Sequence, residues 1–187
     1  MALLPDVLPA GPVELRRWRP GLVDALVPAI ADSFEELERW MDWAQAMPTP
    51  EELLAVLVAG EAAFDADQEW DYTVYELVSE SLVGGAGLHR RGGPNVLEIG
   101  YWISSQRTGL GYATAAAKTL SEAAFTLVPD VERIEIHMDR ANKASAAIPR
   151  KLGYRLDHEE IRQIEASGHT GIGFVWVLDR PAQPIGP

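Results

Sequence analysis

The chain has 187 residues, 47% hydrophobic and 24% charged, and no apolar run in it approaches the roughly 18 to 20 residues of a membrane span. It contains no cysteine, which excludes disulfides, thiolate metal ligands and a covalent cysteine acyl-enzyme. A formal net charge of −12 argues against nucleic-acid backbones and anionic membranes as partners, suits a cationic substrate, and serves solubility besides.

The first twelve residues hold three prolines and read as an extended arm. They lack a basic n-region, so they do not read as an export signal, and the cytoplasm is the expected compartment. Val13 to Trp18 alternates as a first strand. Pro20 opens a helix whose apolar face is Leu22, Ala25, Leu26 and Ile30. Asp32 and Ser33 can cap a second helix carrying Phe34, Leu37, Trp40 and Met41. Thr49-Pro50-Glu51-Glu52 is a third helix start, with a cap, a proline at the first helical position and acidic residues at the positive end; this helix runs to about Asp67.

Then the period changes. Tyr72 to Val78 and Leu82 to His89 read as paired strands, with Gly84, Gly85 and Gly87 marking a bulge or a close backbone approach. Leu97 to Ile103 is the next strand and Ala113 to Leu127 the next helix. Between them lies Gln106-Arg107-Thr108-Gly109-Leu110-Gly111-Tyr112-Ala113. A strand turning through two glycines into a helix holds phosphate well: the backbone comes close to the anion, and the first helical amides point outward with the positive end of the dipole. Val131 to Asp139 is another strand, Lys143 to Leu152 a short helix, and Tyr154 to Ile164 and Ile172 to Leu178 the last strands; 180–187 is a proline-rich tail. The order is β-α-α-α-β-β-β-α-β-α-β-β, a mixed sheet carrying helices and not a doubly wound one.

That order, with Gln106-x-x-Gly109-x-Gly111 between the fourth strand and the long helix, resembles the GNAT superfamily of acetyltransferases. Glu98-Ile99-Gly100-Tyr101-Trp102-Ile103, Asp139-Arg140-Ala141-Asn142-Lys143-Ala144-Ser145 and Lys151-Leu152-Gly153-Tyr154 extend the likeness toward the ribosomal-protein N-terminal acetyltransferases and several antibiotic-modifying enzymes. The resemblance implies one α/β (mixed α+β) domain over 1–187 with its core at about 13–178. It also implies a mostly antiparallel sheet of about six to seven strands, splayed between the fourth and fifth.

By the same resemblance acetyl-CoA is the acyl donor, no metal is needed, and the acceptor is a primary amine. That amine is either a protein N-terminus or a small cation of the aminoglycoside type. The other reading is a non-catalytic acyl-CoA-binding or regulatory module. The pyrophosphate is expected on Gln106, Arg107, Thr108, Gly109, Leu110, Gly111, Tyr112 and Ala113. The pantetheine arm is expected along Ile99, Tyr101, Trp102 and Ile103, pairing with the backbone there like an added strand. Ala113, Ala117, Leu120, Ala124 and Leu127 then form the stripe that packs on the sheet.

Many superfamily members place a proton-donating tyrosine where this chain has Pro149, so that acid is missing here. Ser145 matches the serine that protonates the thiolate in the ribosomal-protein branch, or it only caps the helix. Asn142 matches a residue that bonds the pantetheine arm, or it is a turn asparagine. Arg150 and Lys151 lie where a base can reach the 3′-phosphate, or they are solvated. For the general base the candidates are Glu98 and His137, each with a purely structural alternative. Ser33, Glu36, Trp40 and Trp43 fall where the superfamily shapes its acceptor site, and aromatics beside carboxylates suit an amine. His89, His158 and His169 show no metal-ligand spacing. By analogy with the superfamily the chain forms a homodimer.

Overall fold

The computed structural model describes residues 3–182; the ends of the expected arm and tail, 1–2 and 183–187, lie outside the described residues. Eight strands form one sheet: β1 (Val7–Ala10), β2 (Val13–Arg17), β3 (Glu69–Glu76), β4 (Ser81–His89), β5 (Val96–Ile103), β6 (Arg133–Asp139), β7 (Arg155–Ile161) and β8 (Ile172–Asp179). Their spatial order is β1-β2-β3-β4-β5-β6-β8-β7. Every neighbouring pair is antiparallel except β5 and β6. The strand beyond the expected count is β1, cut from the arm. Pro9 lies within it, opposite Glu14 of β2, and a proline is tolerated there because β1 is the edge of the sheet. The last hairpin is shorter than expected, β7 ending at Ile161 instead of reaching Ile164.

Five helices cover the two faces: α1 (Val23–Ala31), α2 (Phe34–Trp40), α3 (Pro50–Asp65), α4 (Tyr112–Leu127) and α5 (Lys143–Lys151). Pro20–Leu22 is a separate 3₁₀ turn ahead of α1. The start of α3 is a reciprocal cap: the Glu52 amide donates to Thr49 Oγ1 at 3.2 Å, and the Thr49 amide donates to Glu52 Oε2 at 2.8 Å. Such a cap is worth about 1 kcal/mol.

Side-chain alternation along the strands divides the interior in two. Trp70, Tyr72, Leu88, Leu97, Ile99, Ile134 and Ile136 pack toward α4, whose buried residues include Tyr112, Ala116, Ala117, Leu120 and Ala124. The middle of the expected stripe, Ala117, Leu120 and Ala124, is fully buried, and its ends are not: Ala113 is half-buried and Leu127 is 37% exposed. Leu26, Ile30, Leu37, Leu53 and Leu57 form a second core with Trp18 and Trp102, under α1 to α3. The residues left on that face of the sheet, Asp71, Gly85, Gly87, His89, Glu98, Gly100 and His137, line a cavity in place of a core.

Candidate active site

Strand β5 pairs with β6 only at Val96–Arg133, Leu97–Ile134 and Glu98–Glu135. From Ile99 onward the two strands part, and the β6-facing backbone of Ile99 to Ile103 has no strand beside it. A cavity of about 770 Å³ occupies this region. Its lining includes Trp18, Trp40, Trp43, Asp71, His89, Glu98 and His137 from one side of the sheet, and Tyr101, Ile136, Asn142 and Ser145 from the other. The parting thus joins two half-sites through the sheet. An extended ligand can bond the free edge of β5 as an added strand would.

Beyond β5 the chain makes a 3₁₀ turn at Ser105–Arg107 and enters α4 through Gly109 (φ +76°) and Gly111 (φ +84°). Both angles lie in the left-handed region, which other residues enter only with strain. The first helical bond of α4 runs from the Ala115 amide to the Gly111 carbonyl. The Tyr112, Ala113 and Thr114 amides of the first turn therefore have no carbonyl behind them. Thr108 to Gly111 are exposed, and a Cβ on either positive-φ glycine would meet nothing within 4 Å. Unbonded amides at a helix N-terminus, with an exposed loop and open space beside them, suit a pyrophosphate, so the loop and the free edge of β5 both fit a coenzyme A ester.

The loop is anchored by a residue that sequence reasoning passed over. Glu76, at the end of β3, accepts a hydrogen bond from the Tyr112 hydroxyl and lies 3.5 Å from Arg107. The Ser79 hydroxyl also donates to it. These donors, Ser79 foremost and then Tyr112, outweigh burial and hold the carboxyl below its ordinary range; the Arg107 charge adds to the effect.

At the start of α5, Asn142 Oδ1 accepts the Ser145 amide at 3.0 Å. Its side-chain nitrogen is not used by that cap. Ser145 Oγ is 3.0 Å from the Tyr101 hydroxyl. Burial pushes the Tyr101 phenol up to about 12, with the Ser145 contact opposing, so it remains a donor at neutral pH. Pro149 is buried within α5.

The candidate bases differ in what holds them. His137 Nε2 is 2.8 Å from Glu135 Oε2, and its Nδ1 is bonded by the Arg162 guanidinium. Both ring nitrogens are engaged, so no lone pair is left for an amine. Glu98 faces the cavity with Gly100 and Trp102 and lies opposite His89 on β4. His89, which sequence reasoning set aside, is paired with Asp71: Nε2 is 3.0 Å from Asp71 Oδ1.

Of the four expected acceptor residues, Trp40 and Trp43 line the cavity. Ser33 does not: it is 2% exposed, and its Oγ accepts the Ser105 amide at 3.1 Å, tying the α1–α2 junction to the loop before α4. That bond also explains why Ser33 makes no side-chain cap on α2. Glu36 is exposed and acts one step back, accepting the Trp40 indole N–H at 2.8 Å. Arg150 and Lys151 are exposed and lie away from the cavity; the Arg150 guanidinium sits 5.2 Å over the Trp176 ring, and Lys151 borders a shallow groove with Lys118.

A family model described as "Acetyltransferase (GNAT) domain" matches residues 13–155, well over half of the chain. Among curated proteins the chain is 26% identical over 143 residues to "Putative ribosomal N-acetyltransferase YdaF" of Bacillus subtilis (strain 168), covering 76% of this chain and 77% of that one. Among solved structures it is similar to Mycobacterium smegmatis RimJ in complex with CoA-disulfide, with TM-score 0.80 and 26% identity, over 95% of this chain and 89% of that one. It also superposes on RimL, a ribosomal L7/L12 alpha-N-protein acetyltransferase in complex with coenzyme A. That match has TM-score 0.86 and 19% identity over 95% and 99% of the two chains, which is a likeness of fold.

Proposed function

The chain belongs to the GNAT family of acetyltransferases and uses acetyl-CoA as its donor, and from that premise we propose that it acetylates the α-amine of a protein N-terminus. The observation that carries the reading is the parting of β5 from β6 at Ile99, with one cavity reaching both faces through it. A thioester held along β5 and an amine entering from the α1–α3 side meet there without a covalent enzyme intermediate.

The mouth of the cavity favours a polypeptide acceptor. Trp43, Met47 and Val56 line it and are 48%, 36% and 51% exposed. An exposed apolar rim suits a docking chain, and the carboxylates that also line the cavity, Asp71 and Glu98 among them, suit the ammonium group of the acceptor. The name of the curated relative points the same way, since that protein is called "Putative ribosomal N-acetyltransferase YdaF". Freeing an α-amine of pKa about 8 at pH 7 costs about 1.4 kcal/mol, against about 4.6 kcal/mol for a lysine-like amine near 10.4, so an α-amine needs only a modest base, as a weakly basic amino sugar would too.

In this reading the amides of Gly109 to Ala113 take the pyrophosphate, and Ile99 to Ile103 pair with the pantetheine arm. Asn142 bonds that arm, and Ser145 donates to the departing thiolate. Trp40 and Trp43 receive the acceptor. The direct test is release of free thiol from acetyl-CoA with N-terminal peptides, α-blocked versions of the same peptides, and aminoglycosides. Turnover of the free peptides alone is expected; turnover of aminoglycosides with every peptide inert would replace the protein acceptor by a small cation.

A further inference from the structure

We infer that His89, oriented by Asp71, is the general base that takes the proton from the acceptor ammonium. The inference rests on the acetyltransferase reading but not on which amine is the acceptor. Asp71 lies on β3 and His89 on β4, both on the cavity face of the sheet. The Nε2–H of the neutral ring donates to Asp71 Oδ1 at 3.0 Å, which fixes the tautomer with its lone pair on Nδ1. Nδ1 is buried and has no hydrogen-bond partner. A buried acceptor without a donor calls for an explanation, and an incoming ammonium supplies the missing N–H.

Two glycines make room for this arrangement. A Cβ at Gly87 would stand 2.3 Å from Asp71 Oδ1 and 3.1 Å from His89 Nε2, so a side chain there would break the pair. A Cβ at Gly100 would lie 3.6 Å from the ring Cε1 and 3.9 Å from Nδ1. The Cε1–Nδ1 edge of the ring thus lies on the Gly100 side, beside the point where β5 has just left β6 and the two half-sites meet. The charged groups near the ring are Glu69 and Asp71 on β3, Glu98 opposite on β5, and Arg91 just beyond β4. Glu98 has no side chain orienting it among the described residues; it is placed to attract the ammonium while His89 takes the proton.

The step balances. One N–H bond of the ammonium breaks and its proton moves to Nδ1, giving an imidazolium beside the Asp71 carboxylate. The freed lone pair forms the C–N bond to the acetyl carbon, the C–S bond breaks, and the thiolate takes a proton at its own end of the site. The imidazolium then releases its proton to solvent.

The test compares kcat/KM from pH 6 to 10 for the wild type, His89→Gln, Asp71→Asn and Glu98→Gln, using whichever amine the wild type acetylates. Affinity for coenzyme A serves as the check on folding. His89→Gln is expected to bind coenzyme A normally and lose about a hundredfold at pH 7. That loss should shrink once the pH passes the pKa of the acceptor amine; an α-amine of pKa about 8 has shed its proton by about pH 9.5. Activity within twofold of wild type at pH 7, or a loss that stays equal on both sides of the amine's pKa, overturns the assignment. If His89→Gln does not bind coenzyme A, Asp71→Asn decides: the acidic limb moving to lower pH supports the base, and an unmoved limb overturns it. Abolition of that limb by Glu98→Gln alone transfers the role to Glu98. Wild-type failure on every peptide would remove the protein acceptor, and the same profiles would then be measured on the amine that does react.

Discussion

The Tyr101 hydroxyl donates to the Ser145 carbonyl at 3.3 Å while lying 3.0 Å from Ser145 Oγ. That carbonyl is available because the residue four positions on is Pro149, which has no N–H to close the helical bond. The residue that removes the family's usual tyrosine from α5 therefore also opens a place for a tyrosine from β5. The two hydroxyls can exchange roles. If Ser145 is the proposed donor to the thiolate, Tyr101 can turn from the carbonyl to Oγ and strengthen it.

Tyr101→Phe is expected to leave the Ser145 carbonyl unbonded and to cost about 1 to 3 kcal/mol of stability. Adding Pro149→Ala returns an N–H to that carbonyl and should recover most of the loss, as a rise in the denaturant midpoint. The turnover number should stay depressed in the double variant, because Ser145 Oγ still lacks its partner. A double variant no more stable than Tyr101→Phe would contradict the carbonyl account. Recovery of turnover along with stability would reduce Tyr101 to a structural role.

Gly111→Ala tests the loop. The position holds φ +84° with nothing within 4 Å of a built Cβ, so the cost is backbone strain of about 1 to 2 kcal/mol and not a clash. The methyl would also project into the open space over the helix amides. Calorimetric titration with coenzyme A is expected to show at least tenfold weaker binding, and unchanged affinity would place the pyrophosphate elsewhere.

Glu76→Gln separates anchoring from chemistry. The variant loses the charge that faces Arg107 and weakens the bond from Tyr112. The KM for acetyl-CoA should rise several-fold, with the turnover number at saturating donor unchanged. The wild-type carboxyl is held below its ordinary range, so its contribution is complete above the unfolded value of about 4.3 and is lost as pH falls through the lower folded value. Wild-type affinity for coenzyme A is accordingly expected to hold from pH 8 down to about pH 4.3 and to drop only below it, whereas the variant should be flat over the acidic range. A variant that drops in parallel with the wild type would assign the acid sensitivity to another group.

What could be read from the chain was what local chemistry decides. Thr49, Pro50 and Glu52 specify a cap whatever surrounds them, and Gly109 and Gly111 announce a left-handed turn before a helix. The strand β1 was hidden by Pro5, Pro9 and Pro12, because a proline is compatible with a strand only at an edge and the edge is a property of the whole sheet. Asp71 and His89 meet only through the β3–β4 register, and that pairing carries an irregularity between Val74 and Tyr75 that no local pattern indicates. Gly87 was the available signal: read as a close backbone approach, it marks the space into which Asp71 Oδ1 fits. On α4 the pattern found Ala117, Leu120 and Ala124 and missed Tyr112 and Ala116 at the first turns, because a face built mostly of alanines is marked only weakly.

The Trp40 wall of the cavity, proposed to receive the acceptor, is held from the far edge of the sheet. The loop between β7 and β8 reaches α2 through two bonds, Gly168 N–H to the Arg39 carbonyl at 2.9 Å and a His169 Nε2 contact with the Trp40 carbonyl at 3.1 Å. The next residue of the loop, Thr170, is fixed by Asp139, which accepts its amide at 2.7 Å and its hydroxyl at 3.0 Å. The backbone around Trp40 is thereby tied through the loop to the end of β6. At Gly168 a Cβ would stand 2.6 Å from the Arg39 carbonyl oxygen, a backbone atom that cannot yield cheaply. Gly168→Ala is therefore expected to push the loop off α2 and raise the KM for the acceptor about tenfold or more, a shift of at least 1.4 kcal/mol, while coenzyme A affinity stays within twofold. Initial-rate measurements with each substrate varied in turn distinguish the two effects. Equal damage to both KM values would mean that the loop supports the whole sheet instead of the acceptor wall alone.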